Sequence, residues 1–315
     1  MKKIFITGGS GTVGSSFIEN NISNYEIYSY SRNEKSQVAL KRMYPEVEII
    51  LGSVEDKLNL ENSIFKVKPD IVIHSAAMKH VDSAEKQPIE MVKSNIVGSK
   101  NIIEVSKNIN VPITIGISTD KACDPNSLYG YSKLIMEKMF MEASNEKNIF
   151  CCTRFGNVAG SNGSVIPFWL NCINQGKSIP LTDGSMTRLM LNGKEVSDII
   201  EKCIKEAENK SGGFVLSKFM KKVNMKELAE EMSNKIEIVG LRPGEKLSEN
   251  LISSEELRFT KIDDDYIFIL NNINKDESTQ LKHPLSSENA IKMNSNELKD
   301  LIMSIKDKMI NTMRY

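Results

Sequence analysis

The 315-residue sequence predicts an α/β protein: a doubly wound parallel sheet followed by a smaller C-terminal α/β lid. Three observations predict it. Short apolar runs alternate with segments of helical periodicity through the first half, the pattern of βαβ units. Those runs are apolar throughout instead of alternating, as strands covered on both faces must be. The first run also ends in a glycine-rich turn that opens a helix.

The expected strands, in order, are "KIFIT" (3–7), "EIYSY" (26–30), "VEIIL" (47–51), "DIVIHSA" (70–76), "ITIGIS" (113–118) and "IFCCTRF" (149–155). Stretches such as 96–109 and 134–143 space their apolar residues at i, i+3 and i+4 and read as helices between strands. Beyond about residue 158 the pattern loosens. "GNVAGSNGSVIPFW" reads as a loop entering a helix, and "GKSIPLTDGSMTRLM" as an exposed connection. A helix over 196–209 and a strand over 213–217 are expected to return to the main sheet. "NMKELAEEM", "KIEIVGLRPGEKL", "YIFIL" and a helix over 295–310 are assigned to the lid. Residues 1–160 are thus expected to bind a nucleotide cofactor, and 161–315 mainly a substrate.

Lys+Arg and Asp+Glu balance at 41 each, so neither nucleic acid nor an anionic membrane is expected as partner. No run of about eighteen apolar residues occurs, and "MKKIFITGG" leads straight into glycines, so neither anchor nor leader is expected and the location expected is cytosolic. Five cysteines without a C-x-x-C read as reduced and buried. Three scattered histidines offer no zinc cage, and no G-x-S-x-G elbow supports a serine hydrolase. Chemistry must then come from Tyr, Lys, Asp or Glu, or from a cofactor.

The turn Gly8-Gly9-Ser10-Gly11-Thr12-Val13-Gly14 has G-x-x-G-x-x-G spacing. Placed between a first strand and a first helix, it frees backbone N–H groups to face a pyrophosphate, as in Rossmann folds. NAD sites usually carry a carboxylate at the end of the second strand. Here Tyr30-Ser31-Arg32-Asn33 stands instead, and the Arg32 fork suits a 2′-phosphate, so NADP is expected. Ser53 and Val54 would reach the adenine, and Ala76 and Ala77 the ribose and pyrophosphate.

Tyr129 and Lys133 stand at i and i+4 and share a helix face. A nearby ammonium and an oxidised nicotinamide would both favour tyrosinate, lowering a phenol from its usual ~10 toward the range of a base. The predicted chemistry is NADP-dependent oxidation of an alcohol.

With these residues in place, "HSAAMKHVDSAEKQP", "STDKACDPNSLYGYSK", "RFGNVAGSNGSVIPF", "TDGSMTR" and "GLRPGEKLSE" narrow the match. Together they make the chain resemble the extended short-chain dehydrogenase/reductases, and within them the inverting UDP-N-acetylglucosamine 4,6-dehydratases of pseudaminic acid and capsular amino-sugar synthesis. The resemblance covers nearly the whole chain. "STDKA" and "RPGEK" are its most specific parts, since 4-epimerases and dTDP-glucose dehydratases lack the Asp-Lys pair in this form.

The resemblance implies a cycle. The sugar is oxidised at C4, a base removes the C5 proton, water leaves from C6, and hydride returns to C6 from a tightly bound NADP recycled within the turnover. It implies Tyr129 as C4 base, Lys133 as its electrostatic helper, Asp120 as acid for the C6 hydroxyl and Lys121 as C5 base, the last needing a lowered pKa. Lys79, Thr119, Ser161, Asn162 and Thr182 would touch sugar or diphosphate, with Arg188 a further diphosphate contact. Arg242 and Glu245 would hold the nucleotide, while Asn157 and Val158 would shape the nicotinamide pocket. The chain departs from the family pattern at Asn162 (often Arg), Leu189 (Phe) and Ser248 (His). Tyr129, where retaining relatives commonly carry Met, implies inversion at C5 and the product UDP-2-acetamido-2,6-dideoxy-β-L-arabino-hex-4-ulose. A UDP-N-acetylhexosamine substrate and a homo-oligomer are implied, relatives commonly being hexamers. The competing readings are a nucleotide-sugar 4-epimerase, which would not need Lys121, and a non-catalytic NADP sensor.

Overall fold

The computed structural model describes residues 1–315 except Asn162, Lys210, Ser211, Pro243 and 313–315. Strands β1 (Lys2–Thr7), β2 (Tyr25–Ser31), β3 (Glu48–Leu51), β4 (Ile71–His74), β5 (Ile113–Ile117), β6 (Ile149–Thr153) and β10 (Phe214–Lys218) run parallel in the order β3-β2-β1-β4-β5-β6-β10. All six strands expected in the first half are present, and every residue of β4, β5 and β6 is buried. Helices cover both faces. On one, α1 (Thr12–Asn21) lies beside α9 (Gly193–Glu208), with Asn21 Nδ2 donating to Ser197 Oγ at 2.8 Å. On the other lie α3 (Lys57–Val67), α6 (Gly98–Ile109) and α7 (Leu128–Ala143), packed in that sequence. The edge strand β2 leads into α2 (Glu34–Met43).

The C-terminal half differs from the expectation in two places. The segment containing "YIFIL", assigned to the lid, forms the hairpin β14 (Thr260–Asp263) and β15 (Tyr266–Leu270), and β15 pairs antiparallel with β10 to extend the main sheet to nine strands. Its fully apolar character is that of a strand with both faces covered, and Ile267, Phe268 and Ile269 are buried. The stretch read as an exposed connection holds β8 (Ile179–Leu181) and β9 (Thr187–Leu191), whose Leu189, Met190 and Leu191 are buried. Strand β9 pairs with β7 (Asn157–Val158) and β11 (Lys221–Asn224), β8 with β12 (Ile236–Ile238), and β13 (Asn250–Ile252) with β16 (Leu285–Ser286).

A second apolar core joins α8 (Val165–Asn174), β8, α10 (Met225–Met232) and α11 (Ser295–Thr312) through Trp169, Leu181, Leu228 and Leu301. Between α5 (Pro88–Met91), which follows α4 (Val81–Lys86), and α6 the chain makes a π-helical turn over Val92–Val97. All five cysteines are free and buried. Met136 and Met141 are core residues.

One buried cluster ties the halves together. Arg154, at the end of β6, forks onto Glu137 of α7 (2.6 Å) and Glu256 (2.8 Å), and donates to the Leu251 carbonyl at 2.9 Å. Segment 249–256 is thereby held against the parallel sheet.

Candidate active site

Strand order reverses between β1 and β4, and the crevice at their carboxyl ends is where such sheets bind ligands. A cavity of about 730 Å³ opens there. Its floor is the glycine turn. Gly8 has φ +71°, and a Cβ on it would stand 2.8 Å from the Ala76 nitrogen; Gly14 packs behind the turn, where a Cβ would meet Gly9 Cα at 2.6 Å. A turn stripped of side chains and backed by the start of α1 is a fitting cradle for a pyrophosphate. The residues present therefore fit a dinucleotide.

Of the residues expected at the cofactor, Gly8, Ser10, Gly11, Thr12, Val13, Ser31, Arg32, Ser53, Val54, Ala76, Ala77, Tyr129, Lys133, Asn157 and Val158 line this one cavity. Asn33 does not; its side chain caps α2 by accepting from the Ser36 N–H at 3.0 Å. The Arg32 guanidinium is 69% exposed, 3.7 Å from Glu55, at the rim where Ser31 and Ser36 also stand.

The opposite end of the cavity carries Thr119, Lys121, Tyr129 and Lys133. Chain geometry brings them together. Strand β5 delivers Ser118 and Thr119, and a 3₁₀ turn over Asp120–Ala122 follows. Helix α7 starts at once after its Ser127 cap, and Gly130 lets it press onto that turn, since a Cβ there would lie 2.4 Å from the Lys121 carbonyl. Lys133 is buried and donates from Nζ to the Ile117 carbonyl at 2.7 Å. Burial pushes this ammonium down to about 8.

Protonation at two groups is set by opposing influences. Burial pushes the Tyr129 phenol up to about 12 and outweighs the downward pulls of Lys121 and Thr119; the lowered value was expected with an oxidised nicotinamide beside it as well as an ammonium. Lys121 was expected to have a lowered pKa, and burial does push it that way. The Asp120 and Glu249 carboxylates more than compensate, so the ammonium is held above its usual range. Its Nζ lies 3.0 Å from Asp120 Oδ1, 3.3 Å from Asn157 Oδ1 and 3.6 Å from Glu249 Oε1.

Asp120 sits behind the cavity wall, fully buried. Its Oδ1 also accepts from the Thr119 hydroxyl at 3.0 Å, while Oδ2 has no hydrogen-bond partner among the described residues. Among the expected substrate contacts, Lys79 and Ser161 line the cavity, and burial pushes Lys79 below its usual range. Asn162 lies outside the described residues. Thr182, Arg188, Arg242 and Glu245 are not on the wall. Arg188 donates to the carbonyls of Thr187 (2.7 Å), Lys246 (2.8 Å) and Leu247 (3.2 Å), pinning the segment that leads to Glu249. Arg242 lies 3.4 Å from Asp82 of α4, and Glu245 accepts from the Arg242 N–H at 3.1 Å.

Sequence reading missed His80, Ser118 and Glu249. The first two line the cavity, Ser118 as the last residue of an expected strand and His80 four residues beyond another, positions that could have flagged them. Glu249 lies within the quoted "GLRPGEKLSE", but only folding puts it against Lys121.

Fold and site together define a Rossmann-type protein of the short-chain dehydrogenase/reductase class. The chain belongs to the polysaccharide biosynthesis protein family, whose pattern it matches over residues 4–271. It is 37% identical over 271 residues, 82% of this chain and 80% of the other, to a protein of Campylobacter jejuni named UDP-N-acetylglucosamine 4,6-dehydratase (inverting). It is 31% identical over 334 residues, 96% of each chain, to a UDP-glucose 4-epimerase of Rickettsia massiliae. Among solved structures, Pen from Bacillus thuringiensis superposes with a TM-score of 0.88 at 28% identity, covering 97% of this chain and 98% of that one.

Proposed function

We propose that this protein is an enzyme that removes water from UDP-N-acetylglucosamine across C5 and C6 with inversion at C5, using NADP. The observation that carries the reading is the Lys121–Asp120 pair, 3.0 Å apart, beside the cavity that also presents Tyr129 and Lys133. The relative named as an inverting UDP-N-acetylglucosamine dehydratase supports the substrate and the stereochemistry, and the tyrosine at 129 supports the stereochemistry.

A bound nicotinamide would take hydride from C4 and give it to C6. The chain supplies the proton chemistry. Tyr129, as phenolate, takes the C4 hydroxyl proton, and the charge of Lys133 stabilises the phenolate. The resulting ketone acidifies the C5 hydrogen. Lys121 as free amine accepts that proton, while protonated Asp120, buried behind the cavity-lining Thr119 whose hydroxyl it meets at 3.0 Å, is the source of the proton with which the C6 oxygen departs as water. Arg32 at the rim, with no carboxylate ending β2, supports NADP over NAD.

A second reading has its own support, because relatives named UDP-glucose 4-epimerase match 96% of the chain. An epimerase returns hydride to C4 and has no use for a C5 base. Proton NMR of the protein with UDP-N-acetylglucosamine in D2O separates the two. A new C6 methyl signal, deuterium at C5 and L-arabino couplings are expected. A C4 epimer alone would establish the epimerase, and D-xylo couplings would replace inversion by retention.

A further inference from the structure

One charged group beside the site, Glu249, has no role in the proposed reaction. Its residue is 3% exposed, its Oε1 lies 3.6 Å from Lys121 Nζ, and its Oε2 has no hydrogen-bond partner among the described residues. A buried carboxylate is costly unless it is paired. The surrounding structure nonetheless holds it there. Its backbone N–H donates to Ser287 Oγ at 2.9 Å, its carbonyl accepts from the Ser287 N–H at 2.9 Å, and Arg188 pins Lys246 and Leu247 just upstream. Downstream, Arg154 clamps Leu251 and Glu256 to the main sheet.

The charged or titratable groups that act on Lys121 are Asp120 on its own turn, Glu249 from the segment before β13, Arg188 from β9 and the Tyr129 phenol from α7. The two carboxylates cannot share one role. Until the C6 oxygen takes its proton Asp120 is neutral, so it cannot favour proton uptake by the Lys121 amine 3.0 Å away. We infer that Glu249 is the positioning residue for Lys121: its carboxylate orients the amine and favours its taking the C5 proton before Asp120 has given up its own. In the step, the C5–H pair forms the C5=C6 bond and the C6–O bond breaks. The proton from C5 ends on Lys121, and that of Asp120 on the departing water. Glu249 gains and loses nothing. This rests on the dehydratase reading.

The test is Glu249→Gln, with Glu249→Asp as the conservative variant. In Glu249→Gln, C4 oxidation, read as transient absorbance of reduced nicotinamide, should stay within about threefold of wild type. Deuterium entry at C5 should fall by about 10²-fold, the lower end of what a general base contributes. The ascending limb of its pH profile should move to lower pH, because the amine loses a neighbouring anion, and Glu249→Asp should restore part of the rate. A structural role alone would depress both partial reactions together and leave the limb in place, overturning the inference, as would C5 exchange unchanged within twofold. Lys121 is also titrated by NMR in cofactor-free, ¹³C-lysine-labelled protein, its signal assigned by loss in Lys121→Arg. Its pKa should fall in Glu249→Gln, and an unmoved value overturns the inference whichever sugar is the substrate. Wild-type protein giving no methyl product, with the titration shift intact, would instead sink only the dehydratase reading.

Discussion

The ammonium of Lys121 stands 3.0 Å from the buried carboxylate of Asp120. As an ion pair the two are in the wrong states for dehydration, one lacking its lone pair and the other its proton. One proton moved across that contact corrects both. Lys121→Met and Asp120→Asn should each therefore cut formation of the 6-deoxy product by about 10²–10⁴-fold, the range for loss of general acid–base catalysis. C4 oxidation, followed as reduced nicotinamide in a single turnover, should persist. Loss of both together would separate the pair from the elimination step.

Lys133 gives a pH prediction. Burial lowers its pKa to about 8, so in the free protein it loses its charge as pH rises through that value. Its support for the Tyr129 phenolate should disappear in step, and kcat/KM, which reports free-enzyme ionisations, should fall above about pH 8. Lys133→Arg, always charged, should move that limb upward, and Lys133→Met should abolish C4 oxidation at every pH. A profile flat to pH 10 would contradict the assignment.

Gly8 tests the cofactor cradle without touching the chemistry. A side chain there meets φ +71° and a 2.8 Å approach to the Ala76 nitrogen. The left-handed backbone alone costs about 1–2 kcal/mol. Gly8→Val should weaken NADPH binding by well over tenfold in a fluorescence titration. Arg32→Ala should weaken NADPH by about tenfold while leaving NADH nearly unchanged. Equal effects on both would remove the 2′-phosphate argument.

Arg154 carries a stability prediction. With Arg154 and Glu137 side chains each 1% exposed, removing one leaves the other buried and unpaired. Arg154→Ala should destabilise the fold by about 3–5 kcal/mol in urea unfolding. A truncation costing less than about 1 kcal/mol would mean that water replaces the guanidinium.

The strands of the first half were legible because each is an uninterrupted apolar run, which only a doubly covered parallel sheet accommodates. The same signal was present in "YIFIL", yet its partner strand β10 lies 48 residues earlier (Phe214↔Leu270 closes the pairing at 56), and nothing local assigns a strand to one sheet over another. β9 escaped reading because Arg188 and Thr187, polar in sequence, open a strand whose other residues are buried.

What the sequence by itself determined is the cofactor turn, the Tyr129–Lys133 helix face and the Asp120–Lys121 pair, because each depends on neighbours within four residues and on a fixed backbone period. Tertiary structure decided the protonation states and the third charge. Burial raises Tyr129, two carboxylates override burial at Lys121, and Glu249 arrives from 128 positions away. Desolvation and Coulomb terms depend on what surrounds a group in space, and a linear pattern carries no record of that.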